Sequence, residues 1–319
     1  MQRDAGEQTT FFDLAMAGRA VHNRVLETIN ALVDFDEAER ALEATYSTLG
    51  RPGHRVAVML RVMILQHLYG LSDPQAEEQL RDRLSFQKFV GLSAQEAVPD
   101  ETAICRFRER LLACALHERL LEMLNTQLAT AGYLVKRTTL VDATLVESSR
   151  KRPAHAAACA GQAPDADARY ARKHGRSYYG YKAHVSTDGR HQLICRARAT
   201  AANVDDSAVF AELIDPATRA AYADKAYDSK ANKGWLAAHG IANGILKKGA
   251  HHIKLTAEDL ARNARKSRRR SAIERVFAHL KKWQHYRRVR YLGLAKNQLE
   301  LTLKAVAYNL KRLVTLATT

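Results

Sequence analysis

The sequence predicts an α/β protein, a mixed sheet flanked by helices, preceded by an all-helical N-terminal domain. Up to Val135 the chain breaks into short amphipathic segments separated by turn signals. From Lys136 onward strands come first, helices and strands then alternate, and long helices close the chain. This order is typical of a mixed sheet covered by helices. We therefore expect two domains, residues 1–135 and residues 136–319.

The N-terminal domain is predicted to consist of short helices joined by tight turns. Asp100 is placed to cap the helix that carries Arg106, Arg108 and Arg110. A helix-turn-helix unit would use such a basic helix to touch DNA, so these three arginines are candidate DNA contacts. A helical packing or dimerisation domain is the alternative, favoured by the negative charge balance of this part. The predicted helices span residues 21–35, 36–46, 54–69, 73–80, 85–90, 102–113 and 116–131.

The second domain is predicted to begin with a strand rich in Thr, Val and Leu. An Ala-rich loop with two prolines follows over residues 153–167, and a hairpin is then expected around Asp188-Gly189-Arg190, since Asp-Gly is a strong turn signal. Predicted strands span residues 138–148, 178–187, 191–200, 219–223 and 241–246, and predicted helices span residues 204–213, 229–239, 267–282 and 294–316.

The charge of the chain is strongly positive and unevenly distributed. Net charge is +16 and the pI is about 9.8. Through Val135 there are 14 Lys and Arg against 19 Asp and Glu, whereas from Lys136 onward there are 36 against 15. A basic C-terminal part of this kind implies a polyanionic partner, with nucleic acid ahead of an anionic membrane surface.

Cysteine spacing and hydropathy exclude several classes of protein. The four cysteines lie far apart without a C-x-x-C pair, so neither a zinc cage nor a disulfide framework is indicated. The longest apolar run, residues 56–65, is interrupted by Arg61 and is too short to span a bilayer. The first ten residues lack a signal-peptide pattern. We expect a soluble, intracellular protein with no membrane partner.

One predicted helix, residues 267–282, carries an acid between two cations beside an apolar stripe. Arg270, Glu274 and Lys281 fall within roughly 40° of one another around the helix. An acid set between cations suits a site that holds metal ions and phosphates together. An ordinary surface helix with an intrahelical ion pair is the alternative from this stretch alone.

Two aspartates stand out by their positions relative to strands. Asp142 lies inside the first strand, where a carboxylate among apolar neighbours is costly unless it is paired or binds metal. Asp224 ends the strand RAAYAD, and the ends of strands in such sheets collect ligand sites. Asp228 is better explained as the cap of the following helix. On composition alone, three other acids are alternative candidates for the site, namely Asp205, Asp206 and Glu147.

Several ordered motifs resemble those of the DDE transposases of bacterial insertion sequences, specifically the IS-five family within the IS-four-like group. VDATLVES is similar to the strand of the first Asp, YGYKAHVSTD to the strand after it, and YADKAYDS to the motif of the second Asp. RSAIERVFAHLKKW resembles the third-acid signature Tyr-x2-Arg-x3-Glu-x6-Lys, and GRPG, LYGLSDPQ and VPDETAICRFRERL resemble the helical domain of the family. The resemblance covers nearly the whole chain.

The resemblance implies an RNase-H-like fold in which Asp142, Asp224 and Glu274 form one catalytic, metal-binding site. Carboxylate ligands alone select Mg²⁺ or Mn²⁺, and two ions per site are implied. Arg270 and Lys281 are implied to hold phosphate oxygens next to the metals. Residues 265–270, RKSRRR, form a basic run in front of the acid. Further candidate DNA contacts are Arg265, Lys266, Arg268 and Arg269 of this basic run, together with Lys225.

The implied activity is cleavage at transposon ends and transfer of the 3′-OH strand into target DNA. The implied partners are double-stranded DNA, as inverted-repeat ends and as target, and a second copy of the chain, since two ends must be cut and joined. No small-molecule cofactor is expected, and the site of action is the bacterial cytoplasm, on the nucleoid. The alternatives are an RNase-H-like nuclease without strand transfer and a non-catalytic DNA-binding regulator derived from a transposase.

Two positions depart from the family pattern. Ser267 stands where the signature has Tyr, and Asp205 stands where the family's Asn-Val-His-Asp segment has His. A phosphate contact assigned to that Tyr is therefore in doubt. Trp283, at the end of the acid-bearing helix, is expected in the core, with stacking on an unpaired base as the alternative.

Overall fold

The computed structural model of the chain describes residues 22–44, 53–93, 95–151, 153, 163–173, 175–249 and 254–318. It confirms the predicted class, because a six-stranded mixed sheet with flanking helices follows a helical N-terminal region. Most of the loop predicted over residues 153–167 lies outside the described residues. Within the described part, no helix is long and apolar enough to cross a membrane.

The helices predicted in the N-terminal region are confirmed, with ends shifted by a few residues. Asp100 caps its helix as predicted, and its Oδ1 accepts a hydrogen bond from the Ala103 N–H at 2.6 Å. Ser72 and Gln75 form a capping box at the start of another helix. In chain order the helices are α1 (Arg24–Leu32), α2 (Asp36–Glu43), α3 (Val56–Tyr69), α4 (Asp73–Asp82), α5 (Leu84–Val90), α6 (Glu101–Ala113) and α7 (His117–Thr130).

The sheet is built around β1, with antiparallel strands on one side and parallel strands on the other. β1 pairs antiparallel with β3, and β3 pairs antiparallel with both β2 and β4. On its other side β1 pairs parallel with β5, which pairs parallel with β6. The predicted hairpin is confirmed as β3 and β4, whereas β2 was not predicted. The strands are β1 (Thr138–Glu147), β2 (Arg169–Lys173), β3 (Arg176–Asp188), β4 (Ile194–Ala201), β5 (Ala220–Ala223) and β6 (Ala242–Asn243).

The helices of the second part differ from the prediction at one important point. The helix predicted over residues 267–282 is divided at Ser271, whose Oγ donates to the Arg268 carbonyl at 2.9 Å. The segment before the break begins ten residues earlier than predicted, at Ala257, behind a capping box on Thr256. The helices are α8 (Phe210–Leu213), α9 (Lys230–Ala238), α10 (Ala257–Arg270), α11 (Ala272–Trp283) and α12 (Leu294–Ala317).

Helix α12 joins the two parts of the chain. It packs against α3 and α7 of the helical region and against β4 of the sheet, so most of its residues are buried on every side. One continuous hydrophobic core therefore runs from the N-terminal helices to the sheet. Arg290, just before α12, adds polar links, since its guanidinium donates to the carbonyls of Gly70, at 2.8 Å, and Leu71.

A buried ion pair lies inside α12. The side chains of Glu300 and Lys304 are each 1 % exposed, and their Oε1 and Nζ atoms are 3.5 Å apart. Lys304 also donates to the Gln284 carbonyl at 2.7 Å, and Glu300 accepts from the Arg290 N–H at 3.0 Å. These partners offset part of the cost of burying two charges.

The outer edge of β4 is covered by side-chain amides rather than by another strand. Asn309 exchanges two hydrogen bonds with the backbone of Ile194, at 2.7 and 2.8 Å. Asn125 donates to the same carbonyl at 3.0 Å. Gln298 accepts from the Ala199 N–H at 2.7 Å. Amides from α7 and α12 thus take the place of a neighbouring strand along this edge.

Gly180 marks the point where β3 passes the end of β1, and a side chain there is expected to destabilise the fold. Its φ is 156°, and a Cβ would lie 2.3 Å from the Val146 carbonyl oxygen and 2.6 Å from the Ser148 nitrogen. Backbone atoms cannot give way at low cost, so Gly180→Ala should lower the free energy of unfolding by about 2–4 kcal/mol. Urea denaturation followed by circular dichroism measures this difference.

Gly234→Ala is the matched control for that substitution. Gly234 lies within α9 and has nothing within 4 Å of its added Cβ. Because alanine favours a helix over glycine, this variant should gain about 0.5–1 kcal/mol. Equal unfolding midpoints for the two variants would contradict the assigned role of Gly180.

Candidate active site

The parallel pairing of β1 and β5 brings two of the predicted acids side by side. Val141 of β1 pairs with Ala223 of β5, and the next residues along the two strands are Asp142 and Asp224. Neighbouring strands lie about 4.8 Å apart, so these two residues are adjacent in the sheet. Asp224 is partly buried, and its carboxylate accepts a hydrogen bond from the Lys225 N–H.

The ionisation of Asp142 reflects this position. Burial raises the pKa of Asp142 above its usual value, and the negative charge of Asp224 raises it further. The Ala143 N–H, which donates to the Asp142 carboxylate at 2.8 Å, and the positive charge of Arg270 oppose the increase. Desolvation is the largest of these effects, so this carboxylate lies in a protected site where a bound cation would stabilise its charged form.

Helix α11 carries the third predicted acid, which shares the Arg270 guanidinium with Asp142. Its buried residues, Ile273 among them, form one stripe, and the helix packs against β1. Arg270, the last residue of α10, donates to Asp142 at 2.8 Å and to Glu274 at 3.1 Å. The side chains of Asp142 and Arg270 are 20 % and 14 % exposed, whereas Glu274 is 62 % exposed. One guanidinium therefore links the first and third acids.

The donor set fits a divalent cation in its chemistry. Asp142, Asp224 and Glu274 offer only carboxylate oxygens, which Mg²⁺ and Mn²⁺ prefer. A positive group, the Arg270 guanidinium, already lies between two of these carboxylates. In the described part of the chain, however, no three Asp, Glu, His or Cys side chains are grouped closely enough to hold a metal ion. The carboxylates have to move toward each other before they share ions.

Two cations of the basic run fix α10 against the sheet. The Nζ of Lys266 donates to the Ile245 carbonyl at 2.9 Å. The guanidinium of Arg269 donates to the Tyr222 hydroxyl at 2.7 Å and lies 5.7 Å from the centroid of its ring. Both residues therefore have structural contacts, although Arg269 remains exposed to solvent.

The other predicted phosphate contacts differ in their exposure to solvent. Arg265 and Arg268 of α10 are exposed, and so is Lys225, which directly follows Asp224. Lys281 of α11 is partly buried, and burial is the main reason that its pKa is lowered from the usual lysine value. These four cations are carried by α10, by α11 and by the residue that follows Asp224.

The N-terminal candidates need one correction. Arg106 and Arg110 are exposed on α6, as a DNA contact requires. Arg108 is 3 % exposed, forms an ion pair with Asp73, and lies 4.5 Å from the centroid of the Tyr291 ring. The prediction of a DNA contact was therefore wrong for Arg108, because its guanidinium holds α4 and the segment before α12 together.

Two further expectations about single residues were wrong. The helix cap expected of Asp228 is supplied by Ser229, whose Oγ accepts from the Asn232 N–H at 3.1 Å. Trp283 was expected in the core, yet it is 57 % exposed, and the Lys282 ammonium lies 5.0 Å from its ring centroid. An exposed Trp at the end of α11 is available for stacking.

Two of the sequence motifs meet in a polar contact behind the acids. Lys182, in the GYK segment, donates to the Val204 carbonyl at 2.7 Å and to Asp206 at 2.9 Å. Asp205, the residue that replaces the family's His, accepts from the Ser207 N–H at 3.1 Å and caps a short 3₁₀ turn. The Asp at this position thus has a local structural role.

Sequence reasoning missed two cations that act on Lys281, one of which also acts on Asp142. The positive charges of Lys173 and Arg287 lower the pKa of Lys281 in addition to its burial, and Lys173 is also among the charges that act on Asp142. Lys173 lies at the end of β2, which was not predicted as a strand. The sequence signal for Lys173 was the run RYARKHGR, residues 169–176, which contains four basic residues (Lys or Arg) and no Asp or Glu.

Two known protein families match parts of the chain. Residues 133–310, more than half of the chain, match the family described as transposase DDE domain. Residues 16–110 match a second family, described as transposase domain (DUF772). No solved structure matches the chain.

Proposed function

Because this chain belongs to the family of transposase DDE domains, we propose that it cuts DNA at the ends of an insertion sequence and joins the freed 3′-OH to target DNA. One observation carries the proposal: Asp142 and Asp224 come directly after Val141 and Ala223, which pair in register between the parallel strands β1 and β5, and Arg270 links Asp142 to Glu274. Asp142 and Asp224 are thus neighbours, and Glu274 is joined to Asp142 through the Arg270 guanidinium.

Asp142, Asp224 and Glu274 would hold two Mg²⁺ or Mn²⁺ ions. When bound, such ions supply Lewis-acid stabilisation of the attacking and leaving oxygens in an in-line displacement at phosphorus. Arg270 contacts two of the three acids and has to release them first. A DNA phosphate is a suitable new partner for the Arg270 guanidinium, because two phosphate oxygens can accept two parallel N–H hydrogen bonds from this planar group.

The cations around the acids would position the DNA. Lys281 would hold phosphate oxygens beside the reacting group, together with Arg270. Exposed Arg265 and Arg268 would follow the DNA backbone without reading its sequence. The exposed ring of Trp283 would stack on a base that is unpaired at the cleaved end.

For the helical region, residues 1–135, we propose a role in binding the transposon end, in dimerisation, or in both. Exposed Arg106 and Arg110 on α6 support contact with DNA. The continuous core through α12 supports close mechanical coupling to the catalytic part, residues 136–319. The site of action would be the nucleoid in the bacterial cytoplasm.

An assay for joined product tests the proposed function. Purified protein is incubated with Mg²⁺ and a plasmid that carries the short inverted repeats bounding the gene. A transposase yields nicked ends and then molecules in which the 3′-OH is joined to target DNA. A nuclease without strand transfer yields only 5′-phosphate and 3′-OH ends, and a regulator yields bound but uncut DNA. Either of these two results would refute the proposal.

We further expect the active form to be a dimer, because two transposon ends are cut and joined together. Mass photometry of the protein with labelled end DNA should show two chains on two ends. A complex of one chain with one end that cleaves completely would rule out this requirement. The control is the same measurement with a duplex that lacks the inverted repeat.

A further inference from the structure

The β2–β3 hairpin extends beyond the rest of the sheet. Pairing between β1 and β3 ends where Glu147 meets Gly180, whereas β3 begins at Arg176. From Gly180 to Arg176, β3 keeps pairing with β2, and the pairing ends at Lys173 opposite Arg176. The hairpin is therefore a two-stranded ribbon at its far end, and short isolated ribbons of this kind have little stability of their own.

The cations at the end of this ribbon have no ion-pair partners among the residues that the structure describes. Arg172, Lys173 and Arg176 are all exposed, and none of them forms an ion pair within the described residues. Lys173 and Arg176 are direct partners across the two strands, where like charges repel each other. A bound polyanion would remove this repulsion.

The ribbon lies on the other side of β1 from α10, and its pairing continues past Glu147, the last residue of β1. Lys173 is close enough to act electrostatically on both Asp142 and Lys281. β3 lies on one side of β1, while α10 packs along β5 on the other side. A strand of DNA placed over Asp142 would thus have α10 on one side and the hairpin on the other.

We propose that the β2–β3 hairpin is a DNA-binding ribbon that holds the phosphate backbone of the cleaved strand over the active site through Arg172, Lys173 and Arg176. This proposal rests on the proposed function and adds a second contact surface to it. A two-stranded ribbon fits the major groove, and exposed Lys and Arg side chains at its end reach the phosphates that border the groove. The binding is independent of base sequence, because its contacts are to phosphates.

The salt dependence of DNA binding tests this proposal. Fluorescence anisotropy of a labelled duplex, measured without Mg²⁺ at several KCl concentrations, gives the slope of log K against log [KCl]. Lys173→Ala should reduce the slope by about 0.9 and weaken binding roughly eightfold at about 0.1 M KCl, since one phosphate contact is lost. The triple variant Arg172→Ala/Lys173→Ala/Arg176→Ala should reduce the slope by about 3. Circular dichroism verifies that each variant is folded.

Arg190→Ala is the matched control, because Arg190 is an exposed arginine in the turn at the opposite end of β3. Its slope should equal that of the wild type. If the triple variant also keeps the wild-type slope, the hairpin does not bind DNA and the inference fails. If the wild type binds DNA without nicking or joining it, the proposed function fails, while the anisotropy result still decides whether the hairpin binds DNA.

Discussion

Asp224→Ala is expected to abolish Mg²⁺-dependent nicking of transposon-end DNA while DNA binding is retained. The reason is that Asp224 lies beside Asp142 in the sheet and would be a ligand of the ions that stabilise the transition state. Since metal ions supply several kcal/mol of that stabilisation, the single-turnover nicking rate should fall at least about 10³-fold. Gel analysis of a nicked plasmid measures the rate, and anisotropy measures the binding.

Asp215→Asn is the control for this prediction. Asp215 precedes β5 at the opposite end of the strand, where it pairs with Lys136 at 2.9 Å. Its amide variant should nick DNA at the wild-type rate. Retained nicking by Asp224→Ala would assign the second acid to another residue, with Asp228 as the next candidate. Loss of DNA binding in Asp224→Ala would instead indicate a structural role for Asp224.

Lys304→Met is expected to destabilise the fold more than any surface substitution. It removes the charge that faces Glu300 inside α12, where both side chains are 1 % exposed. The buried Glu300 carboxylate then keeps, among the described residues, only its contacts to Arg290, whose Nε lies 4.0 Å away, so the free energy of unfolding should fall by about 3 kcal/mol. The double variant Glu300→Gln/Lys304→Met should recover part of this loss, because it leaves no buried charge. Urea denaturation at pH 7 measures both values.

A lysine at the start of the same helix provides the control. Lys296 pairs with Glu109 at 2.6 Å, and the two side chains are 40 % and 49 % exposed. Lys296→Met should cost less than about 1 kcal/mol, because water screens exposed ion pairs. If the two lysine variants unfold at the same urea concentration, the buried pair does not contribute as proposed.

The buried lysine also predicts how stability depends on pH. Burial lowers the pKa of Lys304 from the usual 10.5 to about 8, although Glu300 opposes this shift. Between these two pH values the folded chain has lost a proton that the unfolded chain keeps, so stability rises with pH. The difference in unfolding free energy between wild type and Lys304→Met should therefore grow from pH 8 to pH 10, by at most about 1.4 kcal/mol per pH unit. A constant difference would show that Lys304 does not titrate in this range.

The parts of the site that depend on local sequence were predictable. Asp142 was recognised as an acid inside an apolar strand and Asp224 as an acid at the end of another. Both signals are local, and once the two strands pair in parallel their register brings the acids together. Glu274 was recognised by its spacing from Arg270 and Lys281. Glu274 and Lys281 share α11, and Arg270, on the other side of the break at Ser271, still donates to Glu274 at 3.1 Å.

The parts that depend on tertiary contacts were not predictable. The basic end of β2 reads as a charged loop, because its strand character comes from pairing with β3. Arg108 has the same local sequence signal as its exposed neighbours, and only the packing of Asp73 and Tyr291 around it shows that it is buried. The break at Ser271 depends on a hydroxyl that returns to the preceding turn, and no proline or glycine marks it.

The amide coverage of β4 limits how copies of this protein can associate. A bare strand edge is a template on which another chain can add a strand, and this is a common start of aggregation. Here Asn125, Gln298 and Asn309 already use the backbone groups that such an addition needs. A second chain therefore cannot add a strand along this covered part of β4.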